Sequence, residues 1–318
     1  MTRFKRWRSW APLAVLALLC VVFSLVNSNF ANPWNLVRLL NAAAIPTILA
    51  MGMTFIILMG SIDLSVEGVV ALSAVLASLL VANQFNTLDL GLPVALPAAL
   101  ALGAAIGFLN GWLHVKLRAP SFMTTLGIGF ACIGVATAIL GGFTVRITDQ
   151  SFRALALHRT LGIPLGVWTA TLAVIAAYLI QERTRVGRWA YALGGDEEVA
   201  QQSGVPIAWT RIAIFTIAGV FFALGGVLAA AQLGQGHALI SQGRLFVTIT
   251  AVVVGGTALS GGVGSVLNSV VGVLIVVVLT NGMVLAGLPT YVQQGVQGAL
   301  IIIAVALALD RARLEVVK

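Results

Sequence analysis

Apolar runs of about 17 to 25 residues recur from one end of this 318-residue chain to the other, and that repetition constrains the fold more than any other feature. A helix of roughly 20 apolar residues is what ~30 Å of hydrocarbon requires. Hydrophobic residues make up 59% of the chain and only 9% is charged. Mean hydropathy is +1.04. A transmembrane β-barrel would instead alternate apolar and polar residues in segments of about ten, and no such segments occur. The sequence therefore predicts an all-α polytopic membrane protein, with its 34 glycines letting helix backbones approach closely in lipid.

The expected spans are 10–26, 39–60, 66–82, 92–114, 121–141, 163–180, 211–233, 245–259, 265–287 and 290–309, about ten in all, which puts both termini on one side. The first follows Arg3, Lys5, Arg6 and Arg8; Ser24-Leu-Val-Asn-Ser28 is a poor cleavage site, so it reads as an uncleaved span rather than a secretory signal. Threading the 18 Lys and Arg residues through these spans leaves only Arg38, Arg146, Arg153, Arg159 and Arg244 on the side away from the termini. By the positive-inside rule the N and C termini are expected in the cytoplasm. The net charge of +8 is thus a topology signal, and no nucleic acid is expected as a partner. The widest external segment, Gly142 to Pro164, is too short and too apolar to be a domain, leaving residues 1–318 as a single transmembrane domain in membrane lipid.

One long stretch is made for water. Glu182 to Pro206 carries Glu182, Arg183, Arg185, Arg188, Asp196, Glu197 and Glu198, and it defines a cytoplasmic loop over 182–210. Within it the pattern predicts a short helix over 196–203. Gly194 and Gly195 break what precedes it, Asp196 caps it, Glu197 and Glu198 favour its positive end, and Gly204 with Pro206 stops it. A helix this short needs packing against its own domain or a partner.

Two places interrupt the apolar pattern without reading as plain loops. Gly60-Ser-Ile-Asp-Leu-Ser-Val-Glu-Gly68 sets Asp63 and Glu67 four residues apart, and Gly255-Gly-Thr-Ala-Leu-Ser-Gly-Gly-Val-Gly-Ser265 is rich in glycine and hydroxyls. Irregular backbone at membrane depth lines a cavity or is buried in protein, so such segments point to a transport path. Asp63, Ser65 and Glu67 are candidates for that path. The alternative is that Asp63 caps the following helix with Glu67 one turn in, both wetted at a membrane face. Asn110, Thr124 and Thr125, also in apolar context, are further path candidates, although interhelical hydrogen bonding is the commoner use of such residues. Gln232, Gln235, His237 and Gln242 fall around an external turn and read as solvated.

No catalytic constellation is present. His114, His158 and His237 are far apart, Cys20 and Cys132 lack metal-ligand spacing, and there is no Gly-x-x-x-x-Gly-Lys to hold a nucleotide. Transport driven by nucleotide would need a second chain, and no metal or cofactor is expected on this one.

With these motifs placed, the chain resembles the permease subunits of bacterial ABC importers for simple sugars, the ribose-type branch of the carbohydrate uptake class 2 importers. Ala50-Met-Gly-Met-Thr-Phe-Ile-Ile-Leu-Met-Gly-Ser-Ile-Asp-Leu-Ser-Val66 is similar to the family's "GMTxVIxxGGIDLSVG". Asn110-Gly111 followed by Pro120-Ser-Phe-Met-Thr-Thr-Leu-Gly127 is similar to "NG…PPFIxTLG", and Thr184 to Asp196 and Val252 to Gly264 match two further family motifs. Ser61 and Glu67 stand where the family usually has glycine, and Leu245 and Val247 where it often has acidic residues. Glu67-Gly68 resembles a segment of related nucleoside permeases.

The resemblance implies a vitamin B12 permease-like, type II ABC importer architecture in the bacterial inner membrane. It implies a second permease, identical or paralogous, with the path between the two. A cytoplasmic ATP-binding subunit would hold ATP and magnesium, and a periplasmic or extracellular solute-binding protein would deliver the sugar. Gly194, Gly195, Asp196, Glu197, Glu198, Ala200 and Gly204 then fall where such importers couple to the ATPase. The mechanism implied is alternating access, with no hydrolysis by this chain. A nucleoside importer is the alternative, and after it an ion-coupled secondary transporter using Asp63 or Glu67.

Overall fold

The computed structural model describes residues 2–308, with side-chain surroundings from Ala11 onward except at 304, 305, 307 and 308. The side chains of Arg3, Lys5, Arg6 and Arg8, and all of Arg311, Arg313 and Lys318, lie outside that description, so the basic flanks of the topology reading are untouched by it. In order, the helices are α1 (Thr2–Val26), α2 (Pro33–Leu58), α3 (Val66–Leu80), α4 (Leu92–Leu117), α5 (Ser121–Leu140), α6 (Gln150–Leu157) and α7 (Leu165–Arg183). They continue as α8 (Arg185–Gly195), α9 (Glu197–Gln202), α10 (Ile207–Leu233), α11 (Arg244–Val254), α12 (Val266–Leu285) and α13 (Thr290–Ala308). Four two-residue strands intervene: β1 (Val145–Arg146), β2 (Arg159–Thr160), β3 (Ile163–Pro164) and β4 (Gln235–Gly236).

Among the described residues, six helices are long and apolar enough to cross a membrane: α2, α4, α5, α7, α10 and α12. Helices α3 and α11 are apolar but reach only 15 and 11 residues. The sequence reading of full spans over 66–82 and 245–259 is therefore corrected. At ~1.5 Å per residue these two helices cover only about 22 and 16 Å.

Helices α2 and α10 form the buried axis. Ile48, Leu49, Met51, Met53, Phe55 and Ile56 on α2, and Phe215, Phe222, Val227 and Ala229 to Ala231 on α10, are shut away from the surface. A helix apolar on every side belongs in such a position. Helix α4 reaches the axis through Gly103, Gly107 and Gly111, spaced four residues apart on one face. A methyl group on Gly103 would strike the Gly219 carbonyl, and one on Gly107 the Phe215 carbonyl. Small residues at this spacing let two backbones touch where there is no hydrophobic driving force between helices in lipid.

The connections gather at two ends. At one end Gly194, closing α8, packs against the Leu58 carbonyl and Gly262, and the Gly262 N–H donates to that same carbonyl at 2.9 Å. At the other end β1 pairs antiparallel with β4, Val145 facing Gly236 and Arg146 facing Gln235, while β2 and β3 form a small hairpin. The 142–164 segment makes no separate domain. It is a cover in which α6, capped by the Asp149 carboxylate, buries Phe152 completely.

Candidate functional site

The first interruption is built from its own polar residues. Gly60, at φ +77, turns the chain out of α2, and residues 61–65 run without helix to the start of α3. Ser65 N–H and Ser65 Oγ both donate to Asp63 Oδ1, at 2.7 and 2.6 Å. Asn110 Nδ2 on α4 donates to Ser65 Oγ at 2.8 Å, Leu64 N–H to Thr125 Oγ1 at 2.9 Å, and Ile62 N–H to Ser121 Oγ at 3.2 Å. Asp63, Ser65, Asn110 and Thr125 are all buried, with Asp63 at 1% exposure. Thr124 turns aside, its hydroxyl donating to its own helix at the Ser121 carbonyl. The structure thus joins four of the six sequence candidates in one network that pins the linker to α4 and α5. The account of Asp63 as a wetted helix cap does not fit: it is buried, and it serves the turn before α3 rather than the first helical N–H groups.

This linker lies deep in the bundle. Gly129, ninth residue of the 20-residue α5, sits against Ser65 and Gly68. Val70 meets Gly226, nineteen residues into α10, or ~28 Å along that helix. Helix α3 therefore begins beside the middle of its neighbours. At the far end of α3, Gly236 packs on Ser78, while Ser241 Oγ donates to the Glu67 carbonyl at 2.7 Å. Residues 236–241 thus descend the length of α3, and α11 starts at its foot. There Glu67 Oε1 accepts from Leu245 N–H at 3.1 Å, so the sixth candidate caps a helix 178 residues away. Arg244 and Gln242, expected around an external turn, are carried inward with that segment.

Beside this inward segment lies a cavity of about 580 Å³, with walls from α2, α11, α12 and α13 and from residues 240–243. Its polar lining is Gln242, Arg244, Thr248, Thr280, Asn281 and Gln297, among apolar side chains such as Pro46, Leu49 and Val276. The volume is within the ~300–1,000 Å³ typical of small-molecule sites. Asn281 exchanges hydrogen bonds with Asn35, and Gln297 Nε2 donates to Thr280 Oγ1 at 3.2 Å. Among the described residues the only ion pair within 4.0 Å joins Arg211 to Glu197, so the Arg244 guanidinium faces the cavity without a carboxylate. None of these six is among the path residues expected from the sequence. The available signal was Arg244 itself, a lone cation directly ahead of an apolar run, with Thr280-Asn281 in the middle of another.

At the α8–α9 end, Thr184 Oγ1 caps α8 by accepting from Gly187 N–H at 3.2 Å, and the helix runs on through Gly194 and Gly195. The glycines expected to break the chain are thus helical, and the break comes at Asp196, whose Oδ1 accepts from Val199 N–H to start α9. The short helix is two residues tighter than the 196–203 expected, with Asp196 and Ser203 as its caps. Gly195, Asp196, Glu197, Glu198 and Gly204 are exposed, whereas Ala200 and Gly194 are buried. Gly194 packs the elbow against Leu58 and Gly262 of its own bundle. Val199 and Trp209 are more than half exposed, and Trp209 stacks edge-on with Trp189. Behind the elbow, Tyr191 OH donates to the Gly264 carbonyl at 2.7 Å and Gln181 Oε1 accepts from Val266 N–H at 2.7 Å. Burial, helped by Glu182, pushes the Tyr191 phenol up to about 12, so it stays a donor at any working pH.

Comparison with known proteins agrees with this architecture. Residues 35–305 match the family described as "Branched-chain amino acid transport system / permease component". The L-arabinose transport system permease protein AraH of Escherichia coli K12 is 35% identical over 270 residues, covering 85% of this chain and 81% of its own. The ribose import permease protein RbsC of Bacillus subtilis 168 is 34% identical, covering 83% and 81%. A probable ABC transporter permease protein of E. coli K12, YphD, is 38% identical, covering 83% and 78%. No solved structure matches the chain. A family match over most of the chain, and relatives of this identity along four fifths of their length, make it a multi-pass membrane protein that belongs to the transport-system permease-component family.

Proposed function

We propose that this chain is the transmembrane subunit of an ATP-driven importer that carries a simple sugar inward by alternating access. The observation that carries the reading is identity of 34–35% to permeases named for L-arabinose and ribose, combined with two interrupted spans meeting at mid-depth. In this reading the architecture is that of type II importers, with about ten spans, α3 and α11 counting as half-spans completed by their non-helical leaders. The α8–α9 end and both termini face the cytoplasm, in a bacterial inner membrane. A second permease completes the path, a cytoplasmic subunit hydrolyses ATP with magnesium, and an external binding protein delivers the sugar.

The α8–α9 elbow receives the ATPase in this reading. Glu198, Val199 and Gln202 form an exposed face on a six-residue helix that its own bundle holds through buried Ala200 and the ion pair of Glu197 with Arg211 on α10. An apolar Val199 more than half exposed in a charged segment suits a docking contact. Glu198→Arg with Val199→Asp is expected to release the ATPase in a pull-down while the permease still inserts. ATPase retention would place docking elsewhere. Sugar uptake by vesicles that hold this chain without any ATPase, driven by an ion gradient alone, would overturn the importer reading.

A further inference from the structure

The cavity beside α11 is unlike a neutral sugar site in its charge. Among the described residues its only ionisable lining group is Arg244, and no aspartate, glutamate or aromatic side chain lines it. Arg244 is also the first residue of α11, so the guanidinium stands at the positive end of an 11-residue helix. That is the unfavourable end for a cation. Glu67, whose carboxylate accepts from the N–H of the next residue, Leu245, does not pair with Arg244. An unpaired guanidinium at this depth is costly, and the cost falls when an anion joins it. Around it, Gln242, Thr280, Asn281 and Gln297 supply amide and hydroxyl groups of the kind that hold alcohols, set among apolar side chains.

Resting on the sugar-importer reading, we propose that this cavity is a substrate station for a polyhydroxylated solute bearing a carboxylate, a sugar acid, with Arg244 as the anion contact. Arg244 forms a bidentate pair with the carboxylate while the amides and Thr280 take the hydroxyls. Glu67 is a positioning residue: by holding Leu245 N–H it fixes the helix start from which Arg244 projects.

The charge of the cavity is tested first, in membrane vesicles holding the full chain with Val247→Cys, a lining position. An anionic methanethiosulfonate is expected to label this cysteine about tenfold faster than a cationic one, relative to their rates with a free thiol. Arg244→Gln should abolish that preference and Arg244→Lys should keep it. Equal rates in the parent, or an unchanged preference in Arg244→Gln, overturn the proposal. The solute is tested by uptake in cells carrying the whole transporter, with D-glucuronate and D-galacturonate set against D-glucose and D-galactose. Preference for the uronates, with KM raised about tenfold or more by Arg244→Gln, supports the assignment. Uptake of the neutral sugars alone, insensitive to Arg244→Gln, overturns it and leaves the sugar reading standing. Uptake of a nucleoside and of no sugar of either kind overturns both.

Discussion

The two interruptions solve one physical problem in opposite ways. Residues 61–65 close upon themselves: each hydroxyl, amide or carboxylate of the network around Asp63 has a partner within the fold, save Asn110 Oδ1, which is buried without one. Residues 240–243 turn one side to Glu67 and leave the other, with Gln242 and Arg244, facing open space. Non-helical backbone at membrane depth is tolerated when buried in protein or when lining a cavity, and this fold uses one solution for each segment. A polar group satisfied internally builds the scaffold. One left facing a cavity is available for a ligand.

The comparison breaks if the two regions respond alike to mutation. The largest expected effect lies outside both, at the seam that supports them: Gly107→Val drives a branched side chain into the Phe215 carbonyl and should cost more than about 3 kcal/mol, seen as loss of monodisperse protein in detergent. Next, Asp63→Ala takes the acceptor from Ser65 N–H and from the Ser65 hydroxyl proton in a buried site and should cost about 2–4 kcal/mol in thermal unfolding. Asp63→Asn keeps an acceptor there and should recover most of that stability. Tyr191→Phe removes a single bond to Gly264 and should cost about 0.5–1.5 kcal/mol. The smallest effect belongs to the open region: Gln242→Ala at the exposed cavity wall should leave stability within about 0.5 kcal/mol while lowering uptake. Stability lost at Gln242 as at Asp63 would erase the distinction.

Much of this was legible in the residues because membrane helices carry their signal in composition. The six long spans follow from length and hydropathy alone, and Asp196 announced α9 by the ordinary chemistry of a cap. The sequence also marked Gly60 to Gly68 as irregular. What it could not reveal was which way Asp63 and Glu67 turn, since residues four apart share a helical face only if both are helical, and Asp63 precedes the helix. Arg244 escaped for a related reason. An apolar run of 245–259 has the composition of a span, and only the packing of Gly236 on Ser78 reveals that its leader has already consumed half of the depth. Gly194 and Ala200 belong to the motif expected to couple to an ATPase, and both are buried, since small residues are also what tight packing selects.

At the joint of α8 with the glycine-rich loop, Gly194 touches Leu58, Gly261 and Gly262 through main chain alone, and Gly261 does the same with Gly60. Side chains yield by changing rotamer, and here there are none to change. Three segments distant in sequence are therefore joined by main chain alone, and a displacement of α8 is expected to reach the end of α2 and the loop before α12 with little slack.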